Sequence, residues 1–163
     1  MTASAQDFAQ AIVSRLAPGR SLETVKLQKL LYFIQGWSLA VWGRPAFDQD
    51  IEAWQYGPVV PSVYAKHANQ AYVDATSDFG GDRDNLNDID RSIIEYVLAN
   101  YGGTAAFKLA DYTHQEGSPW HKATYPNGTT PAVFYANISQ ESMRRYFMDE
   151  AERIRRGGEF IPK

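Results

Sequence analysis

Cysteine is absent from all 163 residues. Disulfides, thiolate zinc sites and cysteine nucleophiles are therefore excluded. No run approaches the roughly 18 apolar residues of a membrane-spanning helix. The opening residues, Met1-Thr2-Ala3-Ser4-Ala5-Gln6-Asp7, have neither a basic start nor an apolar stretch, so no secretory signal is expected. Positive charge is not in excess: 19 acidic residues face 16 basic ones, for a formal net charge of −3. A general nucleic-acid binder leans the other way. Phosphate-binding loops, dinucleotide fingerprints and serine-nucleophile elbows are also missing. A cytoplasmic location is expected, with no membrane and no direct nucleic-acid partner. What is present is globular in composition, 44% hydrophobic and 21% charged. A chain of about this length buries about 68–70% of its unfolded surface, so one core forms without staples. One domain over residues 1–163 is expected, with its core at about 5–156.

Helical periodicity dominates. Phe8, Ile12 and Leu16, with Ala9 and Val13 beside them, predict a helix over 5–16 that Pro18-Gly19 ends. Ser21 is the expected N-cap of a second helix, with Glu23 in its first turn and Gly43 closing it after Trp42. Leu27, Leu30, Leu31, Ile34, Ser38 and Val41 trace one face, which Phe33 and Trp37 widen. This is the expected central, buried helix. Ile51 and Ala53 then alternate with Glu52 and Trp54. A short β-hairpin fits residues 44–54, with an acidic turn at Asp48-Gln49-Asp50 and a break at Tyr56-Gly57-Pro58. Pro61 suits the first turn of a helix reaching about residue 71. Residues 74–90 hold six Asp (74, 78, 82, 84, 88, 90) against Arg83 and read as a solvated loop. Asn87 or Asp88 caps a helix over 89–101, and Thr104 caps a short one to about 113. A loop rich in Gly, Pro and Trp follows over 114–131. Ser139 caps a last helix through 156, with Met143 and Phe147 inward and Arg153, Arg155 and Arg156 at its negative end. The expected fold class is mainly α: about six helices around the 22–42 helix, with one short β-hairpin.

Two constellations carry the functional reading. The first is His114-Gln-Glu116-Gly-Ser118-Pro-Trp120-His121. Two His and one Glu are the residue types of a metal site or an acid–base pair. Their spacing matches no zinc helix motif, and Pro119 prevents one continuous helix. The structural alternative is that His114 and Glu116 tie the loop down by hydrogen bonds while Trp120 plugs the core. The second runs from Glu52 through Trp54, Tyr56, Gly57 and Pro58 to Tyr64. Two prolines, a glycine and three aromatics make a rigid corner that packs the hairpin on the central helix. The same corner is suited to anchoring a protein partner, since Trp and Tyr dominate interface hot spots. The acidic loop reads first as solubilising, and the charges of residues 144–163 are too balanced for nucleic acid.

The segments Lys26-Leu-Gln-Lys-Leu-Leu-Tyr-Phe-Ile-Gln-Gly36-Trp37-Ser-Leu-Ala40, Gly43-Arg-Pro-Ala-Phe47 and Ile51-Glu-Ala-Trp54-Gln-Tyr-Gly-Pro-Val-Val-Pro-Ser-Val-Tyr64 resemble the Panacea domain of SocA-like antitoxins. Thr113-His-Gln-Glu-Gly-Ser-Pro-Trp120 and Met143-Arg-Arg-Tyr-Phe147 extend the resemblance over about residues 8–150. The resemblance implies a non-enzymatic, mainly helical antitoxin without cofactor or metal. It implies direct binding of a co-encoded protein toxin and, as in SocA-type members, delivery of that toxin to the ClpXP protease. It carries over no catalytic residue. As fold or partner positions it carries over Trp37, Trp54, Tyr56, Gly57, Pro58, Tyr64, His114, Glu116 and Trp120. An adaptor touches two partners at once. Asp78, Asp82 and Asp84, or Arg153, Arg155 and Arg156, are the candidates for a second, weaker surface. The competing reading is a small metal-dependent or acid–base hydrolase using His114, Glu116 and His121.

Overall fold

The computed structural model describes residues 2–128 and 131–162. Among these are seven α-helices and five short strands. Helix α1 (Ala5–Ser14) opens with a reciprocal cap: Asp7 N donates to Ser4 Oγ, and Ser4 N donates back to the Asp7 carboxylate. Strand β1 (Leu22–Glu23) leads into α2 (Thr24–Trp42). Ser21 does not cap α2. Residues 22–23 are drawn into pairing with β4 (Tyr72–Val73), so the helix starts later, at Thr24. Its first turn is held from outside: Thr24 N and Oγ1 donate to the carbonyls of Ala71 and Gln70 at 3.0 and 2.9 Å. Gly43, at φ 71°, ends α2 in the left-handed conformation that glycine adopts at least cost.

Helix α2 is apolar on nearly every side, as suits a helix covered all round. Packed on it are α1, α4 (Asp88–Tyr101), α5 (Ala106–Thr113) and α7 (Gln140–Arg155). Phe33 stacks on Tyr101, with ring centroids 4.1 Å apart, and Phe147 meets Phe33 and Trp37 edge-on. The buried Trp37 indole donates to the Tyr101 hydroxyl at 2.8 Å, so its N–H is satisfied within the core. Gly36 is required here because a Cβ would collide with the Phe147 ring. Val41, expected on the buried face, is 55% exposed: the last turn of α2 runs beyond the elements packed on it.

The expected hairpin exists, but later in the chain. Strand β2 (Glu52–Trp54) pairs with β3 (Gly57–Val59), Trp54 opposite Gly57, so Gln55-Tyr56 is the turn. Tyr56-Gly57-Pro58 therefore continues the hairpin instead of breaking it. Asp48-Gln49-Asp50 turns nothing; Gln49 accepts a bond from Ala5 N at 2.8 Å. A third strand, β5 (Ala136–Asn137), adds to the far side of β2. Helix α3 (Pro61–His67) starts on Pro61 as expected and stops before residue 71, because residues 72–73 form β4. The acidic loop is more than a solvated one. Phe79 and Leu86 are buried, and Gln10 binds Phe79 N and the Ser77 carbonyl. Asn87 and Ser139 cap α4 and α7 as expected. Thr104 does not cap α5, whose N-cap is Ala105. The expected loop over 114–131 contains α6 (Pro119–Thr124), capped by Ser118 with Pro119 at its first position.

Candidate functional site

The β2–β3 hairpin, α3 and the first turns of α2 enclose a cleft of about 310 Å³. Trp54 forms its back wall. Tyr64 meets the Trp54 ring edge-on at 4.7 Å, and Tyr135 does so at 5.4 Å. The Trp54 indole donates to the Glu52 carboxylate at 2.9 Å, and the Trp54 carbonyl accepts from the Trp120 indole at 2.7 Å. Tyr135 is held by its own backbone, donating N–H to the Ala53 carbonyl at 2.8 Å. At the mouth, Tyr56 is 72% and Tyr135 65% exposed, with the exposed Val25 beside them. The aromatic rings are thus set by a short sheet and a helix, yet leave much of their surface in water.

Beneath them the chemistry changes. On the inner side, Gln28 Oε1 accepts from Val60 N at 2.8 Å, and the Gln28 amide lies 2.9 Å from His67 Nε2. Burial lowers the pKa of His67 below its ordinary value. Lys29 lines the floor and is 2% exposed. Burial pulls its pKa from 10.5 down to about 8. Its stem passes directly against Gly57: a Cβ there would stand 2.6 Å from Lys29 Cε and 2.8 Å from Nζ. Gly57 also adopts φ 124°, so both space and backbone demand glycine. Pro58, opposite Ala53, is tolerated because it lies in an edge strand.

Sequence reasoning named Trp54, Tyr56, Gly57, Pro58 and Tyr64, and the structure brings them together at this cleft or on its strands. Trp37 and Trp120 are buried and belong to the core. His114 ties structure together: its ring lies 4.0 Å from that of Trp120, and its nitrogens reach the carbonyls of Ala110 and Gln55. Glu116 does not share that role. It is exposed, and no described residue hydrogen-bonds to it. No three His, Asp or Glu side chains among the described residues are grouped to hold a metal ion. Asp78 and Asp82 accept bonds from Gly80 N and Asp84 N within their own loop. Arg153 pairs with Glu150, and Arg155 and Arg156 share Glu152, so the basic end of α7 is largely matched in place. Sequence reasoning missed Val25, Lys29, His67 and Tyr135. One signal was available for Lys29: unlike Lys26, it is flanked by the buried Leu27, Leu30 and Leu31 of the apolar helix.

Residues 27–121, more than half of the chain, match the family described as Antitoxin SocA-like, Panacea domain. Antitoxin SocA of Caulobacter vibrioides (strain NA1000 / CB15N) is 33% identical to the chain over 118 residues, a stretch covering 66% of this chain. The same stretch spans 63% of the relative, less than two thirds of its length. No solved structure matches the chain. The matched region carries α2 with Lys29, the Trp54–Tyr64 corner and the Trp120 plug behind it. This chain belongs to the SocA-like antitoxin family and carries its Panacea domain.

Proposed function

We propose that the protein is an antitoxin that binds its co-encoded protein toxin through the Trp54–Tyr64 corner and delivers it to the ClpXP protease. It works in the cytoplasm by contact alone, with no catalysis, cofactor or nucleic acid. The observation that carries this reading is the exposed aromatic rim, held rigid by the β2–β3 hairpin and α3 within the family-matched region. Rigid aromatics offer large contact area with little ordering entropy to lose on binding. Toxin capture should therefore be the tighter contact. Protease delivery is transient, since an adaptor is reused, and suits the charged surfaces at Asp78, Asp82 and Asp84 or at Arg153, Arg155 and Arg156. The hydrolase reading gains no support from the site, where His114 is engaged by two carbonyls and Glu116 stands apart.

The test pairs toxin pull-down with a ClpXP degradation time course. Tyr56→Ala or Tyr64→Ala should weaken capture. Charge reversal at either charged surface should leave capture intact and slow degradation in a salt-sensitive manner. If every variant keeps or loses both activities together, delivery through a second surface is wrong, and occlusion of the toxin is the better account.

A further inference from the structure

The floor of the cleft holds a cation that no described residue answers. Lys29 is almost fully buried and lines the cleft, and no described residue hydrogen-bonds or ion-pairs with its ammonium. Lysines are almost never fully buried unless paired, because an uncompensated charge out of water is costly. Here the missing partner can arrive only through the mouth of the cleft. On one side Gly57 packs against the lysine stem, and Gln28 and His67 are engaged with each other and with Val60 N. The cavity has room for about one large side chain, at the lower limit of small-molecule sites. Around the mouth, Val25, Tyr56 and Tyr135 line the cavity yet stay exposed, and so form an apolar rim. A free small anion would leave that rim uncovered. A carboxylate carried on a protein surface would cover it.

We infer that the cleft takes a single acidic side chain, Asp or Glu, of the partner protein, with Lys29 as its counter-ion and apolar residues beside that acid resting on Val25, Tyr56 and Tyr135. Charge complementarity selects the acid and the apolar rim selects its neighbours. A desolvated charge pair at the centre of an aromatic ring of contacts is the arrangement that concentrates binding energy in an interface. That the partner is the toxin rests on the function proposed above. The chemistry of the cleft does not.

Two arms keep these separate. In the first, the purified co-encoded toxin is titrated against wild type, Lys29→Met and Lys29→Gln, with circular dichroism confirming the fold of each. Loss of one partner of a buried charge pair should weaken binding about 30-fold or more. One Asp→Asn or Glu→Gln change in the toxin should cost as much against wild type and little against Lys29→Met. Toxin binding unchanged in both lysine variants overturns the inference, while the antitoxin reading stands if Tyr56→Ala still releases the toxin. In the second arm the probes are acetyl-Leu-Glu-Leu-amide, acetyl-Leu-Gln-Leu-amide and phenylacetate, added to isotope-labelled protein. The Glu peptide should shift the Val25, Tyr56 and Tyr135 amide resonances, and neither the Gln peptide nor the Lys29→Met variant should reproduce this. Shifts with phenylacetate but not with the Glu peptide overturn the inference in favour of a free small anion. This arm decides the chemistry even if the toxin binds nothing.

Discussion

Asp7 at the start of α1 and Lys29 at the floor of the cleft are both nearly out of water, at 4% and 2% exposure. The fold treats them oppositely. The Asp7 carboxylate accepts bonds from Ser4 N, Asp82 N and the Asn85 amide, and so stitches the acidic loop to α1. Burial raises its pKa, but those hydrogen bonds outweigh burial, and the net value is lowered. The pKa of Lys29 is lowered too, by burial with nothing to offset it. One lowered value marks a charge the fold favours and the other a charge it disfavours. The α1 end is thus finished within the chain, and the charge in the cleft has no answer among the described residues. The aromatics repeat the contrast. Phe33, Trp37, Tyr101 and Phe147 are buried against one another, whereas Tyr56 and Tyr135 have similar chemistry and stay exposed.

The largest expected effect tests the shared foundation. Phe147→Ala empties a ring packed on Phe33, Trp37 and Tyr32 and should cost about 3–5 kcal/mol, read as a fall in the urea midpoint. A near-neutral result would mean that α7 is not part of the common core.

Lys29→Met should stabilise the protein. The drop from 10.5 to about 8 corresponds to about 3 kcal/mol of disfavoured charge at pH 7. Here the unfolded chain binds the extra proton, so wild-type stability rises as pH climbs from about 8 to 10.5. The advantage of the variant should shrink over that window in urea titrations at several pH values. A destabilised variant would show that the ammonium already has a partner.

Asp7→Ala should act in the other direction, losing about 1–3 kcal/mol because three donors lose their acceptor and a cap is undone. Its folded pKa lies below 3.8, so its contribution is present above that pH and lost as pH falls through the folded value. The gap between wild type and variant should therefore close in acid. A pH-independent gap would assign the loss to packing alone.

Tyr56→Ala is expected to change stability least, within about 0.5 kcal/mol, since the ring is mostly in water. The same variant should weaken toxin capture by more than about 1 kcal/mol. Equal losses in both measurements would make Tyr56 a structural residue and erase the difference between the two regions.

Much of the fold was legible because its rules are local. The period of Phe8 and Ile12, the caps at Asn87 and Ser139, the stop at Gly43 and the start at Pro61 each depend on neighbours within a turn or two, although α1 ends at Ser14, short of the expected residue 16. The errors fell where distant chain competes. Ser21 has the chemistry of a cap, but the pairing of Leu22 with Val73 moved the helix start. Asp48 to Asp50 have the chemistry of a turn, but Gln55-Tyr56 took it. The family and its aromatic corner were readable from motif order alone.

A mainly helical protein with a buried central helix, no cysteine chemistry and a rigid aromatic corner was already legible in the residues. These follow from composition, from periodicity and from the fixed φ of proline. The packing of distant segments is what brings Lys29 of α2, Tyr56 of the hairpin and Tyr135 from beyond α6 into one cleft. It also gives Asp7 its partners Asp82 and Asn85, while no described residue partners Lys29. Whether a buried charge is answered depends on which distant segments pack around it, and no local pattern of residues encodes that.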